Sequence, residues 1–193
     1  QDPVTRADYM HGNQVDLARL YDLFQRGATV VFEQLDGKWL PLRKLCRAME
    51  QELGHPAQAN IYLTPGSSHG RQGDHAQGLK RHYDTHDVFV LQVAGSKTWS
   101  LFDQDVELPL KSQQPRPAEY EEMVVRQTIH MKAGDTIYIP RGFVHDAQAT
   151  EDSSLHITLG ILSYTWATLL GEAVQIAARE DVALRLRRLR EHE

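Results

Sequence analysis

Two histidines and an aspartate, His82, Asp84 and His145, bring two imidazole nitrogens and one carboxylate in the order His-x-Asp…His. Such a set covers one face of an octahedral ion and leaves three positions open, the arrangement of non-haem Fe(II) sites that bind a chelating cosubstrate and dioxygen. Oxygenase chemistry is therefore the first expectation. Residues two apart on an extended segment point to the same side, so His82 and Asp84 can converge while Tyr83 faces away. His145 lies 61 residues beyond Asp84 and must come from a distant strand that folds back beside the first.

A lone His-x-Asp is weak in a chain with ten histidines. It gains weight from the string Gly134-Asp-Thr-Ile-Tyr-Ile-Pro140-Arg-Gly142-Phe-Val-His145, which matches the second cupin motif, G(x)5PxG(x)2H, at every defined position. Gly and Pro punctuate the two strand ends, and the turn between them aims the histidine inward. From Asn60 to Ile161 the chain resembles the JmjC, cupin-type 2-oxoglutarate oxygenases, specifically their ribosomal oxygenase branch. The segments that carry the resemblance are Asn60 to Pro65, His82 to Trp99, Gly134 to His145 and Ser154 to Gly160, about half of the chain. In two respects the chain departs from the pattern: residues 65–80 form a longer stretch than the family carries, and the glutamate of the first cupin motif is absent.

The resemblance implies Fe(II) as metal, 2-oxoglutarate as cosubstrate decarboxylated to succinate, and hydroxylation of a ribosomal protein side chain. The far carboxylate of 2-oxoglutarate needs a buried cation. Lys97, fifteen residues after His82, stands where the family carries its cosubstrate lysine. Arg126 and Arg141 are the reserves. Asn60 and Tyr62 share a strand face and offer neutral donors to the same ligand, and Thr158, two after His156 on the last strand, could donate a hydroxyl. His86, His130 and His156 read as hydrogen-bonded structural residues rather than ligands. His69 and His75 lack the neighbours of a second metal site.

The elements that must position these groups are helical at the margins and extended in the middle. Asp16 caps a helix with Leu17, Leu20, Tyr21 and Phe24 on one face, stopped at Gly27. A short strand over 28–32 follows, then a helix over 41–53 that ends at Gly54-His-Pro56. Strands are expected over 58–64, 87–94, 97–102, 122–130, 135–140, 143–149 and 154–162, with a loop over 103–121. The run Val88-Phe-Val-Leu-Gln-Val93 is apolar on both faces, as a strand covered on both sides should be. The glycine-rich stretch over 66–79 has neither period and is expected to be a loop bordering the substrate entrance. From Thr165 the period is helical, with Leu169, Ala173, Ile176 and Ala177 apolar. Arg179, Arg185, Arg187, Arg188 and Arg190 read as a solvated face. The expected fold is mainly β, and the resemblance makes it a double-stranded β-helix (cupin or jelly-roll) barrel with flanking helices at both ends. Residues 1–162 are expected to form the catalytic domain, and 163–193 the start of a truncated helical region.

Composition fits without deciding. The 193 residues suffice for one domain with a core; 41% are hydrophobic and 24% charged. With 21 basic against 26 acidic residues the net charge is −5, which argues against a general nucleic-acid binder. Neither a membrane-length apolar run nor a signal pattern is present, so a cytoplasmic protein is expected. The single cysteine, Cys46, stands at helical spacing with Leu42, Leu45 and Met49 and reads as a core thiol. From a start without Met and the ending Arg190-Glu-His-Glu193, a piece of something longer is expected. The partner expected is a protein or peptide, a ribosomal protein foremost, with no direct nucleic acid and no membrane; a homodimer stays open for the full-length protein. Two other classes stay open, a Zn or Mn cupin acting as isomerase or hydrolase and an inactive binding module, as does hydroxylation of another peptide or a small molecule.

Overall fold

The structure, a computed structural model, describes residues 6–66 and 80–185. Most of the loop expected over 66–79, with His69 and His75, lies outside the described residues, as do Arg187, Arg188 and Arg190. The chain divides into two compact units, Gln1–Leu162 and Ser163–Glu193.

The first unit opens with a small hairpin, β1 (Met10–His11) and β2 (Gln14–Val15), and α1 (Leu17–Gln25). Asp16 caps α1 as expected, its carboxylate accepting from the backbone of Ala18 and Arg19, and the chain leaves the helix through Gly27 at a φ of 101°. The expected buried face is only partly right. Leu17 and Tyr21 are exposed, and the side turned inward runs through Leu20, Leu23 and Phe24.

Two antiparallel sheets follow. The five-stranded sheet runs in the order β3 (Val30–Phe32), β4 (Ala57–Thr64), β10 (Ser154–Ile161), β5 (Asp87–Ala94), β8 (Thr136–Ile139), and the three-stranded sheet in the order β7 (Gln127–Lys132), β6 (Ser96–Gln104), β9 (Phe143–Ala149). Strand β7 begins later than the sequence suggests, because pairing with β6 starts only when the Arg126 amide donates to Leu101 O at 2.8 Å. The residues just before it form a turn closed by Met123 N on Tyr120 O, and Val124 is exposed.

Alternation gives the five-stranded sheet two different faces. One carries Ala57, Ala59, Ile61, Phe89, Leu91, Ile157, Leu159 and Ile161, and α2 (Leu40–Leu53) covers it with Leu42, Leu45, Cys46 and Met49. The other face turns Val88 and Val90 toward Trp99, Met131 and Ala147 of the three-stranded sheet. Strand β5 is thus covered on both sides, as its continuous apolar run requires. A third cluster, Tyr83, Phe102, Tyr120 and Val144, lies on the back of the three-stranded sheet. Among the described residues the two sheets face each other over a shared core and are not joined into one closed hydrogen-bonded barrel.

The second unit contains α3 (Trp166–Glu180), capped by Thr165, and a 3-10 turn over Val182–Arg185. Trp166, Leu169, Leu170, Val174 and Ile176 are exposed on it. None of the helices is long and apolar enough to cross a membrane among the described residues.

Candidate metal centre

His145 sits on β9 directly opposite Leu101 of β6. His82 lies on no regular strand, yet a single antiparallel bridge pins it to His145, with His82 N on His145 O at 3.1 Å and the reverse bond at 2.8 Å. The two histidines are therefore backbone neighbours, although 63 residues separate them in sequence. Asp84 follows two residues on, and Tyr83 points away into the third cluster, its hydroxyl donating to Gln113 O. The turn of the Gly134–His145 string fixes Asp84 from the other side, because Gly142 N donates to Asp84 O at 3.0 Å.

One ligand atom from each of His82, Asp84 and His145 lies within 4.8 Å of the others. His82 Nε2 is 3.9 Å from Asp84 Oδ1, and His145 Nε2 is 3.7 Å from Asp84 Oδ2. Each imidazole is oriented by its other nitrogen: His82 Nδ1 is 2.7 Å from Lys80 O and His145 Nδ1 is 3.0 Å from Phe143 O. A carbonyl can only accept, so both rings donate through Nδ1 and present the Nε2 lone pair toward the carboxylate. Burial holds the pKa of His145 below its ordinary value, and the neighbouring His82 pushes the same way, which keeps that ring neutral and able to ligate. Two imidazoles and one carboxylate, converging from one side, suit a divalent ion with positions to spare.

The triad opens into a cleft of about 510 Å³, measured out to its open mouth. Tyr62, Lys97, Trp99, Asp146, His156 and Thr158 line it together with the three metal candidates. Lys97, only 2% exposed, donates to Thr64 Oγ1 at 2.9 Å, and burial lowers its pKa to about 8. A lysine with no carboxylate partner among the described residues suits a ligand that brings its own negative charge. Tyr62 has its pKa raised by burial and then by the charge on Asp84, so it stays a phenol able to donate.

Six of the expected positions beyond the metal candidates can now be placed. Lys97, Tyr62 and Thr158 reach the cleft. Asn60 is not part of its lining: its Oδ1 accepts from Gln34 N at 2.9 Å, tying β4 to the turn before α2. Arg126 fails as a reserve anchor because it forms an exposed two-pronged pair with Asp103 at 2.6 and 2.7 Å. Arg141 is also outside the lining, its backbone amide bonded to Asp87. Of the remaining histidines, His130 bonds Thr98 at the surface, and the ring of His86 packs against Gly160, where a Cβ would come within 2.6 Å.

Sequence reasoning missed Trp99, Asp146 and Arg81. Trp99 stands two after Lys97, so alternation alone places it on the same face, next to His145 and His156. Arg81 and Asp146 carried no signal, because each merely adjoins a metal candidate. Folded, they pair at 3.0 Å beside the His82–His145 bridge, with Arg81 also donating to Tyr120 O at 2.6 Å and lying over the Phe102 ring.

Comparison with known proteins agrees with this geometry. The family model of the JmjC domain matches residues 36–169. The bifunctional lysine-specific demethylase and histidyl-hydroxylase NO66 of Dictyostelium discoideum is 38% identical over 151 residues, covering 74% of this chain and 28% of the relative. Ribosomal oxygenase 2 of Mus musculus is 32% identical over 171 residues, covering 85% of this chain and 35% of the relative. The chain thus spans about a third or less of the length of these curated relatives. Among solved structures, the Escherichia coli ribosomal oxygenase YcfD in complex with cobalt and 2-oxoglutarate matches with a TM-score of 0.56 at 20% identity, over 79% of this chain and 37% of that one, a likeness of fold. With most of its strands, its helix α2 and all three metal candidates inside the matched span, the chain belongs to the JmjC domain family.

Proposed function

We propose that this protein is an Fe(II)- and 2-oxoglutarate-dependent hydroxylase that acts on a protein side chain, with a ribosomal protein as substrate. The observation that carries the reading is the presence, in one cleft, of a two-histidine, one-carboxylate cluster and a buried lysine without an acidic partner among the described residues. A cupin that uses zinc or manganese for isomerisation or hydrolysis needs the first and has no use for the second. Relatives named ribosomal oxygenase and histidyl-hydroxylase support the substrate class.

His82, Asp84 and His145 would hold the iron. Bound there, it supplies the redox chemistry by which 2-oxoglutarate, dioxygen and a C–H group become succinate, carbon dioxide and a C–OH group. The chain's own part is positional. Lys80 O and Phe143 O fix both imidazoles in the ligating tautomer. Lys97 offers a charge-assisted hydrogen bond to the far carboxylate, with Tyr62 and Thr158 as neutral donors on the facing sheet. Val88, Val90, Trp99 and Ala147 wall the cleft with apolar surface, which keeps bulk water from the reacting groups.

The test is incubation of the purified protein with Fe(II), 2-oxoglutarate and ribosomes. Succinate release coupled to gain of one oxygen atom on a ribosomal protein, read by mass spectrometry, is the expected result. Turnover that ignores 2-oxoglutarate would favour the zinc or manganese cupin instead.

A further inference from the structure

Two groups that line the cleft, the Lys97 ammonium and the Tyr62 ring, meet on a side chain that the metal does not use. His156 is buried on β10, and register sets it beside Tyr62 of β4 and Gln92 of β5. Its ring lies parallel to that of Tyr62, with centroids 4.7 Å apart and planes 3° apart. Trp99 meets the same ring edge-on, at 5.5 Å and 77°. Nδ1 of His156 is 3.3 Å from Lys97 Nζ. An ammonium has three donors and no acceptor, so a hydrogen bond between these atoms requires an unprotonated Nδ1 and leaves the ring proton on Nε2. Burial, and then the charge of Lys97, oppose an imidazolium in the same place.

We propose that His156 is a positioning residue: it accepts a hydrogen bond from Lys97 through Nδ1 and fixes Tyr62 by stacking, so that cation and phenol are in place before the anionic cosubstrate arrives. The proposal rests on the 2-oxoglutarate reading above. Thr64 Oγ1, itself held 3.0 Å from Thr29 Oγ1, is the second acceptor for the ammonium. Among the described residues, two of its three N–H donors are thus engaged, which leaves one for a carboxylate. A lysine side chain ordered in this way loses its rotamer freedom on folding rather than on binding, and preorganisation of that kind strengthens the complex.

Two variants separate the two roles of the ring. His156→Phe keeps a flat ring against Tyr62 and removes the acceptor, whereas His156→Asn sets an amide oxygen near the place of Nδ1 and removes the ring. In metal-loaded protein, His156→Phe is expected to weaken 2-oxoglutarate binding, measured by calorimetry, by roughly tenfold or more. His156→Asn is expected to retain more of the affinity. Turnover at saturating 2-oxoglutarate and Co(II) affinity should change little in either. Independent of any variant, ring ¹⁵N NMR of the Zn(II)-loaded wild-type protein should find Nδ1 unprotonated and Nε2 protonated from about pH 6 to about pH 7, where Lys97 is an ammonium. A proton on Nδ1, or equal 2-oxoglutarate affinity in wild type and His156→Phe, overturns the proposal. Absence of 2-oxoglutarate binding by the wild-type protein would instead remove the functional reading, and this inference with it.

Discussion

At the scale of single residues the candidate site divides into a part suited to a metal and a part suited to an anion, and substitutions should separate them. His82→Ala, Asp84→Ala and His145→Ala are each expected to abolish Fe(II)-dependent turnover, since two ligands do not make a stable facial site. Metal binding followed by Co(II) absorbance checks this, and a variant that keeps wild-type affinity would remove its residue from the triad. Lys97→Ala should leave metal affinity intact and weaken 2-oxoglutarate by on the order of 2–4 kcal/mol, because it deletes a buried cation facing the far carboxylate. The same lysine predicts a pH dependence. Its pKa is lowered to about 8, so the ammonium is present below that pH and is lost as pH rises through it. The Michaelis constant for 2-oxoglutarate should therefore be flat below about pH 8 and rise roughly tenfold per unit above. In Lys97→Arg the guanidinium stays charged, and that rise should vanish.

At the scale of elements, the turn that ends the Gly134–His145 string is the sharpest target. Gly142 has a φ of 87°, its N–H holds Asp84 O, and a Cβ there would stand 2.0 Å from Val106 O. Gly142→Ala has to displace backbone in a conformation that disfavours side chains, at a cost of about 1–2 kcal/mol or more. Chemical denaturation should register that loss, and metal affinity should fall with it, because the displaced backbone carries Asp84. A variant with unchanged stability and metal affinity would deny the turn its bracing role. Motif spacing made this turn and the three metal candidates legible, the family resemblance pointed to Lys97, and alternation placed Tyr62 and Thr158 on inward faces. Alternation could not tell that Asn60, on the same side of β4 as Tyr62, would be drawn off by the Gln34 amide. Nor could it find Arg81 and Asp146, whose pairing exists only because the His82–His145 bridge brings distant segments together. The start of β7 was misjudged for a related reason: pairing with β6, not local propensity, sets where that strand begins.

At the scale of the whole molecule, the helix α2 and the outer face of the five-stranded sheet form a core that Cys46 reports on. Its thiol is buried, and burial, then the charges of Asp36 and Glu50, push its pKa up to about 11. In the folded protein at about pH 8, alkylation of this thiol should proceed orders of magnitude more slowly than in denaturant, and labelling should track unfolding of the first unit. Rapid labelling of the native protein would mean that α2 detaches readily from the sheet. Holding the two sheets together over Val88, Val90 and Trp99 is what brings His145 and Lys97 of the three-stranded sheet and Tyr62 and Thr158 of the five-stranded sheet into a single cleft. The most direct test is a crystal structure of the protein loaded with Co(II) and 2-oxoglutarate, with the ion located by anomalous scattering. The ion is expected on His82 Nε2, the Asp84 carboxylate and His145 Nε2, with the far carboxylate of 2-oxoglutarate on Lys97 Nζ. An ion bound away from these three side chains, or a far carboxylate held by Arg141 instead of Lys97, would contradict it.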